Sequence, residues 1–213
     1  MKYKGIIFDI DGTLTSTNEL IFASFNNVTE RYLGKRYSSD EIISLFGPTE
    51  DQILEDMCGE NFEQAKKEYY DFYTENHHMA DLYPGIKEIL FQLKEKNILL
   101  SIYTGKGRKA AVITLKKLEI FDYFDLIITG DDVQVHKPSA EGILKFLEKF
   151  NLVKDQVLMV GDSPADVKAA KSAGVKIASV LWDSYAKEKV LQLKSDFNFH
   201  SVEELKLFLV NNT

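Results

Sequence analysis

Residues 5–13 read GIIFDIDGT, a four-residue apolar run from Gly5 to Phe8 that stops at Asp9, followed by Ile10, Asp11, Gly12 and Thr13. A short β-rich run cut off by an acidic residue predicts a buried strand that opens into a loop. Asp9 and Asp11 stand at i and i+2 just beyond that strand, and Gly12 lets the backbone bend closely around a ligand. In an open parallel sheet, ligands bind beyond the carboxyl ends of the strands, so this loop is where chemistry is expected.

The same grammar recurs along the chain. Leu99–Tyr103 precedes Thr104 and Gly105, Leu126–Ile128 precedes Thr129, and Val157–Val160 precedes Gly161. A fifth candidate strand covers Lys176–Leu181. Helical spacing lies between them: Ile86, Ile89, Leu90 and Leu93 recur at i, i+3, i+4 and i+7, and Ile143, Leu144 and Leu147 repeat the pattern. Apolar strands alternating with helices predict an α/β fold, a Rossmann-like parallel sheet covered on both faces and joined by right-handed crossovers.

From Ser16 to Asp81 the alternation stops, and helical signals occur without a convincing strand. This predicts an all-helical insertion over residues 16–81, in a core made of 1–15 and 82–213. Ser16 with Glu19, and Thr49 with Gln52, have capping-box spacing. Gly34 and Gly47-Pro48 break the insertion into helices. A third run starts at Phe62 and reaches about Met79, before Tyr83-Pro84-Gly85 turns back to the core.

Composition narrows the partners. The chain has 213 residues, 45% hydrophobic and 28% charged, with no low-complexity stretch, as expected of an ordered globular protein. Its net charge of −7 is spread along the chain, which argues against a nucleic-acid surface or a basic membrane patch. Cys58 is the single cysteine, so no intramolecular disulfide can form and a cytoplasmic location is expected. The start MKYKGIIFDI lacks the apolar run of a signal peptide, because Asp9 interrupts it.

Every strand end carries something that a phosphate or a metal would use. Beyond the third strand a loop reaches His136-Lys137-Pro138, and the fourth strand ends in Gly161-Asp162-Ser163-Pro164-Ala165-Asp166. Asp9/Asp11, Thr104, Lys137 and Asp162/Asp166, in that order and on strand ends, resemble the four motifs of the haloacid dehalogenase superfamily. The insertion between the first two is similar to the helical cap of the subgroup with phosphoglycolate phosphatase, bacterial pyrophosphatase and β-phosphoglucomutase. After Lys137-Pro138 the chain departs from the common pattern, with Ser139-Ala140 where a further proline is frequent.

The resemblance implies a phosphatase acting on a small phosphorylated metabolite, with Asp9 as nucleophile in an aspartyl-phosphate intermediate and Asp11 as acid/base. It implies Mg²⁺ held by Asp9, Asp162 and the backbone carbonyl of Asp11, with Asp166 on a metal-bound water or in an outer contact. Thr104, Gly105 and Lys137 are expected on the phosphoryl oxygens. A phosphoglycolate phosphatase-like ester hydrolase leads, with a β-phosphoglucomutase-like mutase and an inorganic pyrophosphatase as alternatives. A phosphonate-cleaving relative would need a Schiff-base lysine in the insertion, and none is singled out. A signalling receiver domain arranges similar groups around Mg²⁺, but the insertion and Asp11 argue against it. A catalytically dead binding homologue is hard to reconcile with the intact residue set, and true dehalogenation needs neither Mg²⁺ nor Asp11. A monomer or weak homodimer is expected.

Other features read as structural. His77-His78 are expected to be solvated helix-end residues, since neighbours on a helix do not face one another. Asp131-Asp132 reads as a polar turn, and Trp182 with Tyr185 as packing. Lys35, Arg36 and the loop at Gly47-Pro48-Thr49 are the candidate substrate contacts from the insertion.

Overall fold

Ile6 and Phe8 face one side of the strand β1 (Gly5–Phe8) and Ile7 the other; all four residues of the strand are buried. This is what a period of two does to an apolar run inside a sheet covered on both faces. The computed structural model describes residues 2–213. In it β1 lies near the middle of a six-stranded parallel sheet, with neighbours on both sides.

After β1 the chain makes a two-residue strand β2 (Thr15–Ser16) and then the helices α1 (Asn18–Leu33), α2 (Ser39–Ile43), α3 (Glu50–Cys58) and α4 (Phe62–Glu75). The strand β3 (Asp81–Leu82) pairs antiparallel with β2, so both connections between insertion and core run through one small ribbon. The core continues through α5 (Ile86–Glu95), β4 (Leu99–Tyr103), α6 (Arg108–Lys117), β5 (Leu126–Ile128) and α7 (Glu141–Phe150). It ends with β6 (Val157–Gly161), α8 (Pro164–Ala173), β7 (Lys176–Val180), α9 (Lys187–Gln192), β8 (Phe197–Phe199) and α10 (Val202–Asn212). The sheet order is β5-β4-β1-β6-β7-β8.

Register positions the loops. Phe8 lies opposite Ile102 of β4 and Val160 of β6, so Asp9, the next residue, emerges level with the ends of both neighbours. The strand order reverses at β1, and a crevice opens where loops diverge to the two faces.

Most predicted elements form, and four details differ. The strand β8 was not anticipated, because three residues around an exposed Asn198 are too short a signal; Phe197 and Phe199 hold it by packing on Phe208. The Ser16–Glu19 box is not made: α1 begins one residue later, at Asn18, and its N-cap Thr17 turns its hydroxyl elsewhere. In α7 the buried stripe is Ile143, Phe146 and Leu147, while Leu144 is exposed. The third run stops as an α-helix at Glu75 and continues as a 3₁₀ turn over His77–Met79. At Thr49, Gln52 Oε1 accepts the Thr49 N–H at 3.0 Å, and Gly34 ends α1 in the left-handed conformation with φ of 63°.

The insertion has its own core. Phe25 packs on Tyr69 with ring centroids 4.9 Å apart, and Tyr69 stacks on Tyr73. It is tied to the sheet side by the Tyr73 hydroxyl, 2.7 Å from Thr114 Oγ1 on α6. Among the described residues no helix is long and apolar enough to cross a membrane.

Candidate active site

Asp9 leaves β1 with its N–H donated to Val160 O at 3.0 Å, which fixes its backbone as an extension of the sheet. Its carboxylate points into the crevice beside those of Asp162 and Asp166; one oxygen of each lies within 4.8 Å of the others, and all three residues are buried. Gly12, at φ of 77°, presses against this group: a Cβ there would stand 2.6 Å from Asp162 Oδ2. Thr13 Oγ1 donates to Asp162 Oδ1 at 3.0 Å.

Lys137 enters from the loop after β5. Its ammonium donates to Asp166 Oδ1 at 2.7 Å and Tyr103 O at 3.1 Å, and it lies 3.0 Å from Asp9 Oδ1 as an ion pair. That last contact is off the line of a hydrogen bond, so Asp9 Oδ1 is buried without a donor aligned on it. Asp166 is fully committed: its other oxygen accepts Ser163 N at 3.0 Å and Ser163 Oγ at 2.7 Å. Ser163, Pro164 and Asp166 thereby form the capped start of α8.

The electrostatics follow from the count. Three buried carboxylates share one ammonium, which leaves excess negative charge largely withdrawn from water. Burial pushes the Asp9 carboxyl up to about 6; Lys137 opposes this, and Asp166 and Asp11 add to it. Burial, with Asp166 and Asp9 beside it, holds the Asp162 carboxyl well above the usual range. Burial works against the Lys137 charge too, but Asp166 and Asp9 outweigh it and keep the ammonium above the ordinary lysine value.

These observations fit a hard divalent cation. The cluster of three carboxylates, the unbalanced charge and an all-oxygen donor set match what Mg²⁺ takes. With both Asp166 oxygens occupied, Asp9 and Asp162 have the carboxylate oxygens left to offer it. The Asp11 carboxylate is outside this group, and only its backbone carbonyl was assigned to the metal from sequence. Its Oδ1 accepts the Thr17 hydroxyl and its Oδ2 lies 3.1 Å from Lys106 Nζ.

Thr104 and Gly105 sit beyond β4 on the wall of the same cavity, whose volume is about 550 Å³. Thr104 is buried and its Oγ1 accepts the Lys106 N–H at 3.2 Å. The insertion supplies the facing wall, which is mainly apolar: Ile21, Phe25, Ile43, Phe46 and Ile53, with Gly47 and Pro48 beside them.

Two expectations about the insertion are corrected. Lys35 and Arg36 do not line the cavity; they pair at the surface with Glu41 and Glu30 at 2.8 and 2.6 Å. His77 is not solvated: it is buried against Tyr73 and lies 3.2 Å from Thr114 Oγ1, while His78 is exposed. Tyr185 does more than pack; it packs on Phe22 and also lines the cavity.

Two residues at the site were missed altogether. Lys106 and Glu50 are buried at the seam between core and insertion, with Lys106 Nζ 3.2 Å from Glu50 Oε1. The signal for Lys106 was available in Thr104-Gly105-Lys106, one position beyond the residues chosen. Glu50 reads in sequence as an ordinary helix-start acid.

Comparison with known proteins agrees with the geometry. Residues 6–180 match the family described as haloacid dehalogenase-like hydrolase. A proposed pyrophosphatase PpaX from Caldanaerobacter subterraneus subsp. tengcongensis is 35% identical over 207 residues, covering 96% of this chain and 94% of the relative. The solved structure of a predicted phosphoglycolate phosphatase from Haemophilus somnus superposes with a TM-score of 0.87 at 26% identity, covering 98% of this chain and 99% of that one. A proposed β-phosphoglucomutase from Thermotoga maritima gives a TM-score of 0.74 at 29% identity, covering 98% and 97%.

Proposed function

Because the chain belongs to the haloacid dehalogenase-like hydrolases, we propose that it is a Mg²⁺-dependent phosphatase acting on a small phosphate ester or on pyrophosphate. The observation that carries this reading is the buried Asp9 carboxylate, clustered with those of Asp162 and Asp166 around the single ammonium of Lys137, on the wall of the cavity.

Asp9 and Asp162 would hold the Mg²⁺, which when bound supplies the positive charge that lets a carboxylate approach a phosphate dianion. Asp9 attacks phosphorus and forms an aspartyl phosphate as the bond to the leaving oxygen breaks. Asp11 gives its proton to that oxygen. Thr104 Oγ1 and the Gly105 amide hold the phosphoryl oxygens, and Lys137 keeps Asp9 oriented while offsetting charge between nucleophile and phosphate. Water then attacks phosphorus and gives a proton to Asp11, while the phosphorus–oxygen bond to Asp9 breaks, which frees the Asp9 carboxylate and releases inorganic phosphate. The insertion, hinged at the β2–β3 ribbon between residues 16 and 81, closes over the cavity to keep bulk water out during the first step. The enzyme acts in the cytoplasm as a monomer or weak homodimer, without nucleic-acid or membrane partners.

The names of the relatives define the alternatives: pyrophosphatase for the sequence relative, and phosphoglycolate phosphatase or β-phosphoglucomutase for the solved structures. The test is Mg²⁺-dependent phosphate release from pyrophosphate, phosphoglycolate, sugar phosphates and an aryl phosphate. Asp9→Asn is expected to lower release by ~10⁴-fold or more without unfolding the protein. Substantial activity left in Asp9→Asn overturns Asp9 as nucleophile. Isomer conversion of a sugar phosphate without phosphate release turns the reading to a mutase.

A further inference from the structure

Three charged side chains meet where the insertion touches the core. Lys106, from the β4–α6 loop, places Nζ 3.1 Å from Asp11 Oδ2 and 3.2 Å from Glu50 Oε1. Glu50 is the first residue of α3, on the insertion, and its Oε2 accepts the Gly107 N–H at 2.6 Å. Lys106 and Glu50 are each only 6% exposed.

A buried ammonium is tolerated only if it is paired, and a buried carboxylate only if its oxygens are satisfied. Here each condition is met across the seam: the core lysine needs the insertion's acid, and the insertion's acid needs the core lysine and amide. Lifting the insertion would strip Glu50 of both partners and leave Lys106 with Asp11 alone. Seating it restores Glu50 to Lys106, and Lys106 stands directly on the Asp11 carboxylate. The other Asp11 oxygen accepts from Thr17, at the start of the insertion, so both oxygens report whether the insertion is in place.

We propose that Glu50 is a positioning residue that, through Lys106, couples seating of the helical insertion to the placement of the Asp11 carboxylate for proton transfer. This rests on the reading of Asp11 as the acid/base. Both Glu50 oxygens are taken, by Lys106 and Gly107, so although Glu50 and Lys106 line the cavity, the link from Glu50 to Asp11 runs through Lys106. Uncoupled, the insertion still closes, but Asp11 is no longer held where the leaving oxygen departs.

A simple latch and a positioning device differ in one readout. Loss of a latch slows every substrate alike. Misplacing the proton donor hurts a poor leaving group, which needs the proton, and spares a good one, which departs without it. The quantity to read is kcat/KM, which covers the steps up to leaving-group departure, for an alkyl phosphate and for p-nitrophenyl phosphate. Glu50→Gln and Lys106→Met are each expected to lower kcat/KM on the alkyl phosphate by roughly 100-fold and on p-nitrophenyl phosphate by less than about 3-fold. Asp11→Asn is expected to show the same selectivity, and Glu50→Gln added to Asp11→Asn to widen it no further.

Equal losses on both substrates, or none, in folded variants overturn the proposal. Glu50→Asp, which keeps the charge but shortens the reach, gives the same test with an intermediate selective loss if Glu50→Gln does not fold. A wild-type protein that releases phosphate from neither substrate instead overturns the phosphatase reading on which this depends.

Discussion

Asp9 and Asp162 illustrate what a single residue contributes when burial and charge pull in opposite directions. Burial pushes Asp9 up to about 6 in the metal-free protein, against about 3.9 for a free aspartate. A carboxyl raised on folding gives stability that is fully present below its unfolded value and lost as pH rises through its folded value. The metal-free protein should therefore lose stability between about pH 4 and pH 6, and Mg²⁺ should restore it by binding the ionised native site. Thermal melts are expected to show a larger rise in Tm on adding Mg²⁺ at pH 7.5 than at pH 4.5. Asp9→Asn should raise the metal-free Tm at pH 7.5 by a few degrees and weaken the response to Mg²⁺. Equal Mg²⁺ shifts at both pH values would contradict this. Residues whose place is set locally were legible in the sequence: Asp9, Thr104 and Asp162 each follow a strand, and Lys137 lies in the loop after β5. Glu50 was not, because what makes it part of the site is Lys106, distant in sequence by a separation of 56. His77 was misjudged for the same reason, since its burial depends on Thr114 of α6.

Among the elements, the loop after β1 is the most tightly specified. Gly12 combines φ of 77° with a Cβ position 2.6 Å from Asp162 Oδ2, so any side chain there meets both backbone strain and the Asp162 carboxylate. Gly12→Ala is expected to cost about 1–2 kcal/mol of stability, as measured by denaturant unfolding, and to lower phosphate release at least ~10-fold by displacing Asp162. Wild-type stability and turnover in that variant would mean that the loop relaxes freely. Strands and amphipathic helices were readable where periodicity was complete, as in Ile86, Ile89, Leu90 and Leu93, all buried in α5. They were not where tertiary contacts override local pattern. Leu144 is spaced like its neighbours yet faces solvent, with Phe146 taking the core position. Ser16 has the residue type of an N-cap, but β2 claims it for the ribbon. Three residues of β8 carry no period of their own and are held by Phe208 on the following helix.

For the molecule as a whole, the parallel sheet with a helical insertion was legible from alternation and its interruption, whereas the strand order was not. Composition cannot say that β1 lies between β4 and β6, and it is that placement which brings loops from residues 9, 104 and 162 to one crevice. The central claim is that this crevice transfers phosphate to Asp9. It is tested most directly by acid-quenching the enzyme during turnover with Mg²⁺ and the best substrate, reducing with borohydride, and reading the peptides by mass spectrometry. Reduction of an aspartyl phosphate converts its aspartate to homoserine, and the account predicts that change at residue 9 alone, absent without substrate. Homoserine at Asp11 or Asp162, or at no position despite rapid phosphate release, would contradict it.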